Sequence, residues 1–384
     1  MRSNYKKLGN YIRQVNIKNT DGKVDMLVGV NLEKKFIPSV ANIVGTDLTK
    51  YKVIKKGQFG CKLMSVGRDG KLPISLMKDY EKAIISSAYY VFEVKNENEL
   101  LSDYLMMWLS RSENDRYLWF KSGADVRGSI SWNDFCSIEI NIPSIEKQRE
   151  IVAEYYAITN RIKLNEQLNQ KLEETAQAIY KEWFVDFEFP NENGKPYKSN
   201  GGEMVWCEEL EKEIPKGWKH GTIKDLFELQ RGFDLPTQNR VMGEYPVYAS
   251  TGISDYHDEY KVEAPCVVTG RSGSLGEVFY VDENFWALNT TLWVKSFNNS
   301  TPLFAYFILK SINLSDFNGG SAVPTLNRNH LHMSDIYVPG MNVIETFELK
   351  AKTIFEHKKI LKKEYSSLIR LKEILLSKMA TVEG

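Results

Sequence analysis

The chain lacks most of the features that would declare a function at once. No apolar run approaches the roughly 18 residues that a membrane helix needs; the longest, Ala83 to Phe92, is about half that. The first residues, Met1 to Gln14, hold no apolar signal core, so a cytoplasmic protein without membrane contact is expected. Only four cysteines occur, Cys61, Cys136, Cys207 and Cys266, with no Cys-x-x-Cys pair and no histidine set nearby. That spacing argues for reduced, buried thiols and against a zinc site.

Catalytic signatures are missing as well. Gly123-x4-Gly128-Ser129 has the spacing of a phosphate-binding loop, but Ser129 stands where the lysine must be. Asp79 with Glu93, Val94 and Lys95 imitates a nuclease metal triad without supporting acids. Gly270-Arg271-Ser272-Gly273 is no nucleophile elbow, because its second glycine comes one residue too early. His330 and His332 alternate as strand residues do and have no third ligand close by. There is no GxGxxG and no Asn/Asp-Pro-Pro-aromatic segment for amino-group methylation. No catalytic site, metal site or bound cofactor is read.

A net charge is also absent, with 50 basic against 50 acidic residues, but the distribution is uneven. Residues 1–143 hold 22 Lys/Arg against 16 Asp/Glu, so +6; residues 144–216 hold 10 against 15, so −5. Residues 217–339 hold 9 against 13, so −4, and 340–384 hold 9 against 6, so +3. Bulk attraction to nucleic acid therefore applies to the first globule alone, and the second would have to gather its few cations on one face.

What is present is a long helix, twice. From Pro143 to Phe189 no glycine follows, and only the opening proline breaks the pattern. Apolar residues recur at Ile151, Tyr155, Ile158, Ile162, Leu164, Leu168, Leu172, Ala176, Ile179 and Trp183, with Ser144 as candidate N-cap. At about 1.5 Å per residue, 40 residues would span about 60 Å, the length of a spacer. Ile336-Tyr337-Val338-Pro339 opens a second such segment, through Ile344, Phe347, Ile354, Leu361, Tyr365, Leu368, Leu371, Leu375 and Met379, offset by 196 to 197 residues. Two apolar stripes of this kind bury each other best as a coiled-coil pair.

The globules match too. Gly67-Arg68-Asp69-Gly70 aligns with Gly270-Arg271-Ser272-Gly273, and Ser86–Val91 with Asn289–Val294, both at offset 203; Tyr104 pairs with Tyr306 and Val126 with Val323. Strand-like runs fall at Met26–Val30, Tyr51–Ile54 and Ile84–Val94, and a helix at Glu99–Leu109. Residues 191–216 read as an acidic, Gly-rich linker. Duplication of a domain-plus-helix unit follows, with approximate two-fold symmetry inside one chain.

Two loop clusters carry binding chemistry. The Gly-Arg-x-Gly turns offer backbone amides, Arg68 with Lys71, or Arg271 with Ser272 and Ser274, all groups that phosphate oxygens accept from. Thr325, Asn327 and Arg328, followed by Asn329 and His330, gather base-reading side chains, and Arg127, Ser129 and Asn133 are their counterparts. Each also fits a plain solvated turn, and both readings stay open at this level.

Taken together, the motifs resemble the specificity subunit of type I restriction–modification systems over nearly the whole chain. The resemblance rests on Phe36–Asn42, Gly45-Thr46-Asp47-Leu48, Lys56–Phe59, Val66–Asp69, Gly123–Ser129, Pro143-x4-Gln148, Trp183–Glu188, Ile214–Trp218, Gly270-Arg271-x-Gly273 and Asn289–Thr291. It implies an α+β fold, with two mixed α/β target recognition domains separated by a pair of long antiparallel coiled-coil helices in an internal pseudo-two-fold repeat. The expected segments are a first recognition domain (1–143), a central helix (144–190), a linker (191–216), a second recognition domain (217–339) and a C-terminal helix (340–384). Each domain would read half of a bipartite site in double-stranded DNA, and the helices would set the spacer and dock two methyltransferase subunits. Endonuclease/translocase subunits would complete the assembly. S-adenosylmethionine, ATP and magnesium would belong to those partners. In this picture Arg68 and Arg271 grip backbone, while the Arg127 and Asn327/Arg328 loops approach bases. A structural module on a coiled-coil stalk, and a nuclease built on Asp79, Glu93 and Lys95, are the alternatives.

Overall fold

Both globules are built on one arrangement of strands. The computed structural model describes residues 5–39, 46–123, 128–319 and 324–379. The chain divides into two units, one of residues 1–166 with 363–384, the other of residues 167–362. In the first unit an antiparallel sheet runs Ile12–Val15, Tyr90–Val94, Phe59–Cys61, Ile74–Leu76; in the second, Phe227–Arg231, Thr291–Phe297, Cys266–Gly270, Val278–Val281. A second sheet contains a parallel pair, Leu27–Val30 beside Lys82–Ile85, repeated as Tyr245–Ala249 beside Trp286–Ala287. Strand Tyr5–Lys7 pairs with Glu139–Asn141 just before the first long helix, and Lys219–Thr222 with Asp335–Val338 before the second. Shared strand order, including the rarer parallel contact, establishes the internal repeat. The Val126 and Val323 match, and Val40–Gly45 of the quoted motifs, lie outside the described residues.

Several local expectations change. Ile84–Val94 is two strands, Lys82–Ile85 and Tyr90–Val94, folded at a turn where the Tyr89 amide donates to the Ser86 carbonyl at 3.0 Å. The helix expected from Glu99 begins at Ser102. Residues 191–216 are more than a linker: Met204–Cys207 and Lys212–Pro215 form a hairpin, and Cys207 and Ile214 enter the second core. The acidic tip Glu208 to Glu211 masks the strands on either side.

The long helices run Ile145–Tyr180 and Met341–Lys378. Ser144 caps the first, its hydroxyl accepting from the Lys147 amide at 3.3 Å. Leu164 and Leu168, expected on the inner stripe, are exposed at 56 % and 48 %. Asn165 is buried in their place and Asn169 is half-buried. The shielded positions 151, 155, 158, 162, 165, 169, 172, 176, 179 and 183 thus step by four and three throughout, an unbroken heptad seam with asparagine at two of its positions. In the second helix Leu371 is likewise exposed, and the half-buried Lys372 keeps the spacing.

Within the first unit Ile151, Val152 and Tyr155 share a core with Leu375, Leu376 and Met379. Within the second, Ala176, Ile179, Tyr180 and Trp183 share one with Ile344, Phe347, Ala351 and Ile354. The start of each helix therefore meets the end of the other, which makes the pair antiparallel. Arg161 adds a two-pronged ion pair to Glu364 at 2.7 and 3.1 Å.

The first helix ends in a wider turn, Lys181–Val185, that turns Trp183 and Phe184 inward. Phe184 is fully buried, its ring 4.5 Å from Phe304 and 5.2 Å from Phe347 by centroid. Phe187 holds a φ of 62° and packs against Trp218 and Tyr337. The Trp183–Glu188 motif is thus the plug of the second core. Glu173 ties three helices together nearby, accepting from Tyr306 and Lys310, each at 2.7 Å, and from Lys358. Burial alone would raise its carboxyl, but these donors outweigh it and pull it down to about 2.

Each long helix also caps a shorter one. Gln148 accepts from the Leu101 amide at 2.9 Å, ahead of helix Ser102–Leu109. Glu348 accepts from the Leu303 amide at 3.0 Å in helix Pro302–Ser311. Burial raises the Glu348 carboxyl above the ordinary glutamate range, despite the bond from the Leu303 amide.

Two measurements follow. Phe184→Ala is expected to lower unfolding free energy by about 3–5 kcal/mol in denaturant titration, the cost of an aromatic-sized cavity. Glu348 has a folded pKa above its unfolded one, so its contribution is present at low pH and lost as pH rises through the folded value. Glu348→Gln keeps the acceptor without the charge. It should raise stability at pH 7 to 8 and bring no gain below the glutamate range, read as melting temperature against pH.

Candidate nucleic-acid interface

The repeat aligns the candidate loops, and the alignment differs from the one the sequence offers. Ser131 caps helix Trp132–Cys136, its hydroxyl accepting from the Asp134 amide at 3.0 Å. Asn327 caps helix Arg328–His332, accepting from the Asn329 and His330 amides at 3.1 and 3.3 Å. One residue earlier, the Ile130 amide donates to the Leu63 carbonyl and the Leu326 amide to the Arg271 carbonyl. Arg271 is therefore equivalent to Leu63, and Arg328 to Trp132. The match of Arg68 with Arg271 is a four-residue coincidence. Arg68 sits in a helical turn, Val66–Asp69, whereas Arg271 directly follows strand Cys266–Gly270.

In the second unit three cations converge. Arg271, Arg328 and Arg231 line a cavity of about 350 Å³ with Thr325, Asn327 and Asn329, Leu292, Leu326 and Gly319. No carboxylate is among the lining residues. Burial first, and then the charges of Arg231 and Arg328, hold the Arg271 guanidinium below the ordinary arginine range. Arg271 donates to the Asn289 carbonyl and Arg328 to the Leu229 carbonyl, both at 3.4 Å. Like charges packed without a counter-charge are relieved by an anion, and arginine forks suit phosphate oxygens or the O6/N7 edge of guanine.

Glycines make this geometry reachable. A Cβ on Gly270 would lie 2.1 Å from the Ser274 carbonyl oxygen, and one on Gly232 2.3 Å from that of Leu288. Neither position takes a side chain, so the arms carrying Arg271 and Arg231 press against neighbouring backbone. Ser272 bridges Thr325 through backbone beside the cavity, while the exposed Ser274 lies on the returning arm and is not among its lining residues. Asn327 spends its side-chain oxygen on the cap. Arg231 was missed because it lies 40 residues before Arg271 and in no motif. Its one signal is a cation at a strand end before a close-approach glycine.

In the first unit Arg68 forms a two-pronged pair with Asp69 at 2.7 and 3.0 Å, and the turn ends at Gly70 with φ 65°. Lys71 follows, exposed. The Gly67 amide donates to the Gly128 carbonyl at 3.1 Å, which sets the exposed Ser129 beside this turn. Arg127 lies outside the described residues. Glu93 accepts from Arg13 and Gln58, and Lys95 donates to the Gly9 and Asn10 carbonyls. His330 and His332 are helical. His332 accepts from the Leu229 amide at 2.8 Å, with burial and Arg328 lowering its pKa. Among the described residues no three His, Cys, Asp or Glu side chains gather as metal ligands, and no helix is long and apolar enough to cross a membrane.

The family model described as the type I restriction modification DNA specificity domain matches residues 41–174 and 215–367. The chain belongs to this family. Both matched stretches run from a globule into a long helix, so the specificity domain occurs once per repeat. The MjaIX specificity subunit of Methanocaldococcus jannaschii is 26% identical over 306 residues, 73% of this chain and 68% of that protein. The HindI specificity subunit of Haemophilus influenzae is 32% identical over 162 residues, 41% of this chain and 34% of that one. Among solved structures, the S subunit from M. genitalium superimposes with a TM-score of 0.59 at 13% identity, covering 98% and 95% of the two chains, and shows the shared fold.

For a DNA specificity protein the arginine cavity gives a direct test. Arg271→Ala should weaken duplex binding and lower the slope of log affinity against log salt by about one. Fluorescence anisotropy across a salt series reads both. Unchanged affinity and slope would leave the turn with a structural role alone.

Proposed function

We propose that this chain is the sequence-reading subunit of a type I restriction–modification assembly, each globule reading one half of a bipartite duplex site. The arginine cavity carries the reading. A segment with 9 cations against 13 acids places three of the nine around one carboxylate-free cavity. S-adenosylmethionine, ATP and magnesium then act on the methyltransferase and endonuclease/translocase subunits. This chain directs where they act and has no catalytic step of its own.

The long helices act as ruler and dock. Their heptad seam is internal, yet Leu164, Leu168, Leu349, Ile360 and Leu371 remain exposed outside it. A second set of apolar residues on paired helices suits two partner subunits, one per repeat. The half-sites are held apart by helix length, about 1.5 Å per residue.

Co-expression with a methyltransferase subunit of the same system, followed by single-base mapping of adenine methylation, tests this. A split motif with a fixed gap is expected only when both chains are present. Removing one facing heptad from both helices keeps the seam in register and shortens it by about 10 Å, so the gap should shrink by about three base pairs. Absence of new methylation, with no association between the chains and no DNA binding, would overturn the reading in favour of a stalk module.

A further inference from the structure

Among the described residues of the first unit no arginine cavity forms at the equivalent place, where Leu63 and Trp132 stand and Trp132 stacks on Tyr90 at 5.4 Å. A different surface stands at its loops. Phe120, at the end of helix Ser112–Lys121, is 76 % exposed, the most exposed aromatic side chain among the described residues. Its neighbours at i−4 and i−3 are Arg116 and Tyr117, and Lys121 lies 5.6 Å from the Tyr117 ring. The half-exposed Trp119 donates from its ring nitrogen to the Gly67 carbonyl at 3.2 Å, which pins the helix to the turn that also holds Gly128 and Ser129. Met64, 60 % exposed, lies on the tight turn leading into that site.

Exposed apolar groups here are set among cations. Lys62, Arg68, Lys71, Arg116 and Lys121 lie on these two segments, against Asp69, Glu113 and Asp115. Asp115 is buried and already held by Lys34 at 2.8 Å. Large exposed apolar side chains are costly in water, and a surplus of positive charge around them favours a polyanion with apolar surface of its own. Stacked bases at a duplex step meet both requirements, since apolar side chains wedge between base steps while cations hold the flanking phosphates.

We infer that the first unit engages its DNA half-site by apolar insertion, with Phe120 as the wedge. The second unit uses its arginine cavity. This inference rests on the DNA reading above. The two halves of the site are then held by forces with different salt dependence. Counterion release acts at both halves, and stacking adds a salt-independent share to the aromatic half.

The test uses the full chain with its methyltransferase partner and a fluorescent duplex carrying the motif from the methylation map. Phe120→Ala should weaken binding about ten-fold at every salt concentration with the salt slope unchanged. Phe120→Leu should recover most of the loss, and the melting temperature should not move for so exposed a residue. Equal binding by Phe120→Ala and the parent chain overturns the inference. So does a variant that keeps DNA affinity but no longer co-purifies with the methyltransferase, which would make the patch a protein interface. If the parent chain itself binds no duplex, the DNA reading falls first and this inference with it.

Discussion

The seam between the two long helices is the constraint on which the rest depends. A strict four-three alternation of shielded positions locks two antiparallel helices into one register, and each globule is rooted where one of them starts. Register matters more here than strength. Asn165, Asn169, Lys358 and Lys372 stand in the seam where leucine would bury more apolar area. Polar groups in such a seam penalise every sliding alternative, because a shift by one turn would leave them facing hydrocarbon.

The second globule shows how a repeated scaffold is tuned. Its sheet order, crossover and capped short helix all recur in the first globule, so the backbone paths coincide in pattern. The side chains at matching places do not: arginine stands against leucine at one position and against tryptophan at the other. Scaffold positions are set by packing, with Phe135 and Leu331 both fully buried one turn into the capped helices. The diverging positions differ in packing as well as in chemistry: Leu63 is buried in the first core and Trp132 stacks on Tyr90, whereas Arg271 and Arg328 line the cavity.

Much of this was legible in the sequence. The doubled helix, the duplication and the loops bearing Arg271, Thr325, Asn327 and Arg328 all came from spacing and composition. The seam was misplaced where Leu164 and Leu168 outrank Asn165 and Asn169 in hydrophobicity, since a stripe read by apolar content follows leucine and not geometry. The Arg68 to Arg271 match failed because identity over four residues is weaker than the backbone bonds before the capped helices, which make Leu63 the equivalent of Arg271. Arg231 joins the cavity only through the ladder between Phe227–Arg231 and Thr291–Phe297, a long-range pairing no local pattern reports. The hairpin at 204–215 was hidden by its acidic tip.

Residues 1–166 and 363–384 form one unit, and that orders how the fold is completed during synthesis. Residues 363–384 complete the core built around Ile151 and Tyr155, and the Asn141 amide reaches the Met379 carbonyl at 3.4 Å. On the ribosome the first globule is synthesised before the second, yet the helix segment that completes its core follows the second. A chain that stops within the second globule therefore leaves both globules unfinished, with seam residues bare to solvent. The core of the first globule thus closes only on residues that follow the second.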